Sequence, residues 1–134
     1  MPKPTLSQLE KKLDRIFSEF IRREDADEGG TTQCVTCGKY EFWKDLDAGH
    51  FVKRQHRSVR WDERNVHPQC TRCNHFMGGR QDDMALYIVR LYGKDCLTEL
   101  MQLKYQTKKH TRVELEEMIE KYKKKVEGLN VGRN

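Results

Sequence analysis

Two C-x-x-C pairs constrain this chain more than any other feature of its sequence; Cys34 pairs with Cys37, and Cys70 with Cys73. Each pair is typical of a tight turn, and two such turns can supply four thiolates at the corners of a tetrahedron. A structural Zn²⁺ ion prefers that arrangement. We therefore predict that the four cysteines bind one zinc ion and that the rest of the chain packs around this unit.

Length and composition limit the size of the fold. The 134 residues suffice for a single domain, residues 1–134. Charged residues make up 35% of the chain and hydrophobic residues 36%, so the apolar core is small and a bound metal would help to stabilise it. The start MPKPTLSQLEKK lacks the apolar run of a signal peptide, and no segment has the length and apolarity of a membrane span. With five cysteines present, these features favour a reducing cytoplasm.

Apolar periodicity predicts helices on both sides of the cysteine-rich segment. Leucine, isoleucine and phenylalanine recur at threes and fours over residues 7–24, where Ser7 and Glu10 can form a capping box. Residues 82–128 show the same period, interrupted so that about three helices are expected. The expected boundaries of these helices are Asp82 or Asp83 to Gly93, a restart at Asp95, and a capping box of Thr111 with Glu114 followed by a helix to Gly128.

The segment between the helices, residues 34–80, is expected to form short strands and turns. Its second strand should cover about residues 47–53. Residues 65–69 should form a short extended piece, which Pro68 limits to a strand end or a sheet edge. The second cysteine pair then opens a brief helix that a glycine pair ends.

The net charge of +5 is concentrated in one stretch. Residues 53–80 carry seven basic side chains against two acidic ones, Asp62 and Glu63. An arginine-rich stretch between two metal-binding turns is a credible track for phosphate groups. The predicted DNA-contacting residues are Lys53, Arg54, Arg57, Arg60, Arg64, Arg72 and Arg80.

Polar side chains in the same segment are candidates for phosphodiester hydrolysis. His50 is the predicted general base, because imidazole titrates near working pH and the small residues before it leave room for a phosphate. Asn74 could offer an amide oxygen to Mg²⁺ or could instead cap the short helix, and His75 is the competing metal ligand. Asn65 could hold backbone groups of the basic loop or could orient His50. His67 is left open as a further ligand or a strand residue that points away.

Four motifs of the chain resemble a known family: CVTCG at 34–38, DAGHFVKRQH at 47–56, RWDERNVHPQCTRCN at 60–74 and GGRQ at 78–81. They are similar to the HNH endonuclease superfamily and, within it, to the NinG (Rap) recombination nucleases of lambda-like phages. The resemblance implies an α+β fold: a small zinc-stapled ββα-metal (HNH-like) core flanked by one N-terminal helix and about three C-terminal helices. It also implies a structural zinc ion and a Mg²⁺- or Mn²⁺-dependent nuclease site, in the host cytoplasm if a phage encodes the chain.

The resemblance transfers roles to individual residues. His50 matches the first histidine of the HNH motif, Asn65 matches its central asparagine, and Asn74 falls where many members have the last histidine. HNH proteins commonly place an aspartate directly before the base, whereas this chain has Gly49 there. Asp47 is the nearest carboxylate, but in a regular strand it would face away from His50, so only a bulge or loop would let it bind the metal.

The leading hypothesis is therefore an endonuclease that cuts branched recombination DNA such as D-loops and Holliday-like junctions. The alternative is a non-catalytic zinc module that holds DNA or bridges other recombination proteins. A restriction or homing enzyme would need base-reading elements that the sequence does not reveal. A homodimer is an attractive assembly, because a junction presents paired strands.

Overall fold

The computed structural model describes residues 2–130, so both ends of the predicted domain 1–134 lie outside the described range. Helix α1 (Leu6–Arg23) comes first, and strands β1 (Thr31–Gln33) and β2 (Tyr40–Phe42) follow it. A 3₁₀ turn at Trp43–Asp45 leads to β3 (Leu46–His50), and β4 (Val66–Cys70) is followed by a π-helical turn at Arg72–Phe76. The remaining helices are α2 (Gln81–Tyr92), α3 (Lys94–Leu103) and α4 (Arg112–Asn130).

The strands of the described residues form two separate antiparallel sheets of two strands each. In the first, Thr31 lies opposite Phe42. In the second, Leu46 lies opposite Cys70 and His50 opposite Val66. Both strands of a two-stranded sheet are edges, which is why the proline within β4 is tolerated there.

Apolar side chains form two main clusters on either side of the β3–β4 sheet. The larger cluster joins α1 to α4 through Leu9, Leu13, Phe17, Phe20, Ile21, Trp61, Val66, Leu115, Ile119, Tyr122 and Val126. The smaller cluster joins α2 and α3 to the arginine-rich loop between β3 and β4, which we call the basic loop. Its members are Val52, Val59, Met84, Ile88, Cys96 and Leu100. Cys96 is thus a buried side chain of this apolar cluster. None of the helices in residues 2–130 is long and apolar enough to cross a bilayer.

Several predicted boundaries are wrong by a few residues. The capping box of α1 is made by Thr5 and Gln8, with Gln8 N donating to Thr5 Oγ1 at 3.1 Å and Thr5 N donating to Gln8 Oε1 at 2.8 Å. Ser7 therefore lies inside the helix. The strand predicted at 47–53 ends at His50: Phe51 N still donates to the carbonyl of Asn65 at 2.9 Å, but Val52 N donates to the side-chain Oδ1 of Asn65 at 2.7 Å, so the backbone pairing stops there.

The C-terminal boundaries also need correction at two points. Asp82 and Asp83 lie in the first turn of α2, while the residue before the helix is Arg80, in the left-handed conformation (φ 45°) and without a side-chain cap. Helix α4 continues past Gly128 to Asn130. The capping box of Thr111 and Glu114 is confirmed, with hydrogen bonds of 3.0 and 3.1 Å.

Candidate metal centre and polar cleft

The two cysteine pairs meet in space. The sulfur atoms of Cys34, Cys37, Cys70 and Cys73 lie within 4.8 Å of one another, and Cys37 Sγ is 3.8 Å from Cys70 Sγ. Four thiolates bound to zinc at about 2.3 Å would be separated by about 3.8 Å, so the spacing fits a tetrahedral ion. The cluster could hold a metal such as zinc.

The acid–base behaviour of the cluster agrees with a cation site. Burial opposes ionisation of Cys34, but hydrogen bonds from Thr36 and nearby backbone groups outweigh it and lower the pKa of this thiol to about 6. Burial, together with the charge of Cys34, raises the pKa of Cys70 to about 12. Four thiolates at this separation repel one another, so full deprotonation requires a bound cation.

A cleft of about 630 Å³ brings together several of the predicted site residues. Asp47, His50, Asn74 and His75 line it, together with Lys53 and Arg54. Helix α1 adds Asp14, Ser18 and Arg22 to the lining. Sequence reasoning missed these α1 residues, although their spacing of four places them in one row on the helix.

His50 has a defined tautomer in this cleft. Its Nε2 lies 2.9 Å from the carbonyl oxygen of Arg60. A carbonyl can only accept, so Nε2 carries the hydrogen and Nδ1 is the basic nitrogen of the neutral ring. Burial lowers the pKa of His50, although the Arg60 carbonyl and the Asp14 carboxylate partly oppose this effect. The ring is therefore neutral at pH 7.

Asp47 shares the cleft with His50, although the strand between them has no bulge. Asn74 Nδ2 donates to Asp47 Oδ2 at 3.3 Å, and His75 Nε2 lies at the same distance from that oxygen. A carboxylate, an amide and an imidazole from two elements thus converge on one point. The pairing of β3 is regular, so Asp47 and His50 lie on opposite faces of the strand, and a role for Asp47 as a metal ligand stays a prediction.

Gly49 occupies the position where the resemblance leads one to expect an aspartate. A Cβ atom built on Gly49 would lie 2.0 Å from Oε1 of Gln69, which crosses the strand at this point. Gln69 is buried and donates from Nε2 to Thr36 Oγ1 at 3.1 Å and to the carbonyl of Gly79 at 2.8 Å. Any side chain at position 49 would displace this link between the two cysteine turns.

Asn65 holds the basic loop, the first of the two roles considered for it. Its side chain is 0% exposed. Oδ1 accepts from Val52 N at 2.7 Å, and Nδ2 donates to the carbonyls of Val52 and Val59 at 2.9 and 3.1 Å. The loop that Asn65 holds also contains Arg60, and the carbonyl of Arg60 orients His50. Asn65 therefore acts on the histidine only through the loop.

His67 lies away from this cleft. Its Nε2 is 2.8 Å from the carbonyl oxygen of Arg64, and its ring packs edge-on against Tyr87. It lines a different cleft of about 820 Å³, with Tyr87 and Tyr92. Of the two possibilities left open for His67, pointing away is the one observed.

The predicted DNA-contacting residues differ in how they are paired. Arg57 binds Glu10, Arg60 binds Asp14, Arg64 binds both Asp62 and Glu99, and Arg80 binds Asp83. Arg54 is 64% exposed, and its ion pair with Asp14 is longer than these, at 3.6 Å. Within residues 2–130, no carboxylate lies within ion-pair distance of Lys53 or Arg72. Lys53, Arg54 and Arg72 are therefore the cations most available to an added phosphate.

The fold and the site define a small α+β protein in which a cluster of four cysteines, able to hold a metal, lies close to a polar cleft. A family model described as "Bacteriophage Lambda NinG protein" matches residues 3–131. The chain belongs to this NinG family. No solved structure matches it.

Curated relatives are phage proteins named Protein ninG. The protein of Escherichia phage 933W is 26% identical over 125 residues, which are 92% of this chain and 59% of that protein. The protein of Salmonella phage P22 is 28% identical over 127 residues, with the same two coverages. That of Escherichia phage lambda is 25% identical over 125 residues, 92% of this chain and 58% of the relative. The chain therefore spans about three fifths of the length of these relatives.

Proposed function

We propose that this protein is a divalent-metal-dependent DNA endonuclease of the HNH (ββα-metal) type that hydrolyses phosphodiester bonds in branched recombination intermediates. One observation carries the proposal. A neutral histidine with a defined tautomer shares a cleft with a carboxylate, an amide and the cations Lys53 and Arg54. Phosphodiester hydrolysis needs each of these groups: a base for water, ligands for a cation and charges that position the strand.

His50 would act as the general base. With Nε2 held by the Arg60 carbonyl, Nδ1 is the nitrogen able to take a proton from the attacking water. The lowered pKa keeps this nitrogen unprotonated at neutral pH. Lys53 and Arg54 would hold the phosphates on either side of the cleaved bond as point charges.

The residues around Asp47 fit a hard divalent cation. One carboxylate oxygen, one amide and one imidazole suit Mg²⁺ or Mn²⁺, which bind few protein groups and keep several waters. The amide of Asn74 now directs its nitrogen at Asp47, and rotation of the amide by 180° would present Oδ1 instead. When bound, the cation would polarise the scissile phosphate and stabilise the leaving oxygen.

We also assign zinc to the four-cysteine cluster, in a structural role. The ion would join the turn after β1 to the end of β4, and so set the position of Asn74, the residue directly after Cys73. All four ligands come from protein, which leaves no open position for a reacting water.

The test is single-turnover nicking of a branched DNA with added Mg²⁺. His50→Ala should cut about 100- to 10,000-fold more slowly than the parent, because it lacks the base. His67→Ala is the matched control, since His67 makes the same type of Nε2 bond but lies in another cleft. It should cut at close to the parental rate.

Two results would count against the proposal. Near-parental cutting by folded His50→Ala protein would remove His50 from the chemistry. A parent protein that binds DNA but never nicks it, at any Mg²⁺ or Mn²⁺ concentration, would instead identify the non-catalytic zinc module.

A further inference from the structure

An exposed apolar pair directly follows the candidate metal ligands. Phe76 is 81% exposed and Met77 49% exposed. We call these two residues the apolar tip. A phenylalanine left in water forgoes the free energy that burying its ring would contribute. Two neighbouring apolar side chains at one turn of a highly charged chain therefore indicate a partner surface.

The apolar tip lies on a firmly held turn. Met77 N donates to the carbonyl of Arg72 at 2.9 Å, and Gly79 N donates to the carbonyl of Cys73 at the same distance. The carbonyl of Gly79 accepts from the buried Gln69. Gly78 and Gly79 have φ values of 62° and 85°, which side-chain-bearing residues rarely adopt. The turn is thus tied to the cysteine cluster and presents its side chains outward.

Two cations lie on or next to the turn that carries the apolar tip. Arg72 begins the π-helical turn that carries it, and the Lys53 ammonium is 3.3 Å from where a Cβ of Gly79 would lie. His75, the residue before Phe76, contacts Asp47 in the cleft. An apolar ring among cations matches a nucleotide, whose phosphate is anionic and whose base has an apolar face.

We propose that Phe76 and Met77 stack on a nucleobase next to the cleaved phosphate, and that this contact selects DNA whose base stack is interrupted. The inference rests on the proposed nuclease function and specifies its substrate. In a continuous duplex both faces of every base are covered, so insertion of a side chain would have to break a stack, which is unfavourable. At a branch point the base stack is already interrupted, so the protein does not have to break it.

The experiment compares binding of the full chain to a three-way junction and to a continuous duplex, without added Mg²⁺. The junction carries 2-aminopurine at the branch, whose emission is quenched when it stacks on an aromatic ring. Phe76→Ala should reduce the preference for the junction about fivefold or more, and its complex should be brighter than that of the parent. Phe76→Trp should keep both properties.

Tyr105→Ala is the control, because Tyr105 is an equally exposed ring (82%) that follows α3 instead of the candidate metal ligands. It should leave the junction preference unchanged. Since Phe76 is exposed, its removal creates no cavity, and unchanged melting temperatures should show that each variant folds.

The proposal is overturned if Phe76→Ala and Met77→Gln both keep the parental preference and quenching, or if the parent shows no junction preference. Nicking is measured separately with Mg²⁺. A parent that does not nick, but whose junction preference depends on Phe76, refutes the nuclease function and retains the stacking contact.

Discussion

His50 and His67 have the same local chemistry and different surroundings. Each directs Nε2 at a backbone carbonyl, and burial lowers the pKa of both rings. They lie on opposite faces of the β3–β4 sheet, because His67 is paired with Gly49 and His50 with Val66. The position in the strand register, not the residue type, therefore makes one of them the candidate base.

The pH dependence of nicking should follow the protonation of His50. The rate requires the neutral ring, so it should rise with pH and level off once the group is deprotonated. Burial lowers the pKa of His50 from its ordinary 6.5, so the midpoint of this rise should lie below pH 6.5. Single-turnover rates between pH 4.5 and 8 measure it, and a midpoint above 6.5 would contradict the assignment.

Gly49 should tolerate no side chain. Gly49→Ala places a Cβ against Gln69, so we expect a loss of about 1 to 3 kcal/mol in unfolding free energy from overpacking. Gly128→Ala is the control, because a Cβ there meets open space on an exposed helix; it should stabilise by about 0.5 to 1 kcal/mol. Chemical denaturation measures both, and equal effects would disprove the clash.

At the scale of elements, α1 holds the basic loop by charge as well as by apolar packing. Asp14 accepts from Arg60 Nε and from the Trp61 indole, each at 3.0 Å, and Glu10 binds Arg57. These arginines are therefore partly neutralised on the loop where the sequence predicted a phosphate track. Their contact with DNA stays a prediction, since binding would require a phosphate to replace a carboxylate.

The salt dependence of DNA binding should separate the loosely paired, exposed Arg54 from the tightly paired Arg64. Arg54→Ala should lower the slope of log affinity against log salt by roughly one unit, the loss of one phosphate contact. Arg64→Ala, from a residue bound to two carboxylates, is the comparison and should change the slope less. A salt titration in which both variants keep the parental slope would show that the loop is only a solvated surface.

At the scale of the whole molecule, the cysteine cluster links the parts that form the cleft. Val35 N donates to the carbonyl of Pro68 at 3.0 Å, and Gln69 joins the first cysteine turn to Gly79. The cluster itself forms a third, small buried group with Leu46, at the start of β3. Loss of its metal should therefore disturb the cleft as well as the cluster.

We expect about one zinc ion per chain and a large loss of stability when it is removed, since binding energy in such sites is largely folding energy. Cys70→Ser should lose the metal and melt at a lower temperature. Cys96→Ser is the control, being buried outside the cluster, and should keep its zinc. Metal analysis with thermal melting measures this, and a metal-free parent with unchanged melting would refute the site.

Local patterns determined much of this protein directly from the sequence. The cysteine spacing predicted the four-sulfur cluster, and apolar periodicity predicted the helices before and after it, because both depend on residues close together in the chain. The capping box at Thr111 was predictable for the same reason. The capping positions Thr5 and Arg80 were not predictable from the sequence, because several residues near each helix start could serve as the cap.

Only the tertiary structure decided which polar residues share a cleft. Asp47 lies beside Asn74 and His75 because β3 pairs with β4, and the row Asp14, Ser18 and Arg22 faces them because α1 packs on the same sheet. The pairing of four predicted DNA-contacting arginines with distant carboxylates, such as Arg64 with Glu99, is likewise invisible to charge counting. The sequence determined which chemical groups were present; contacts between residues far apart in the chain decided which of them meet.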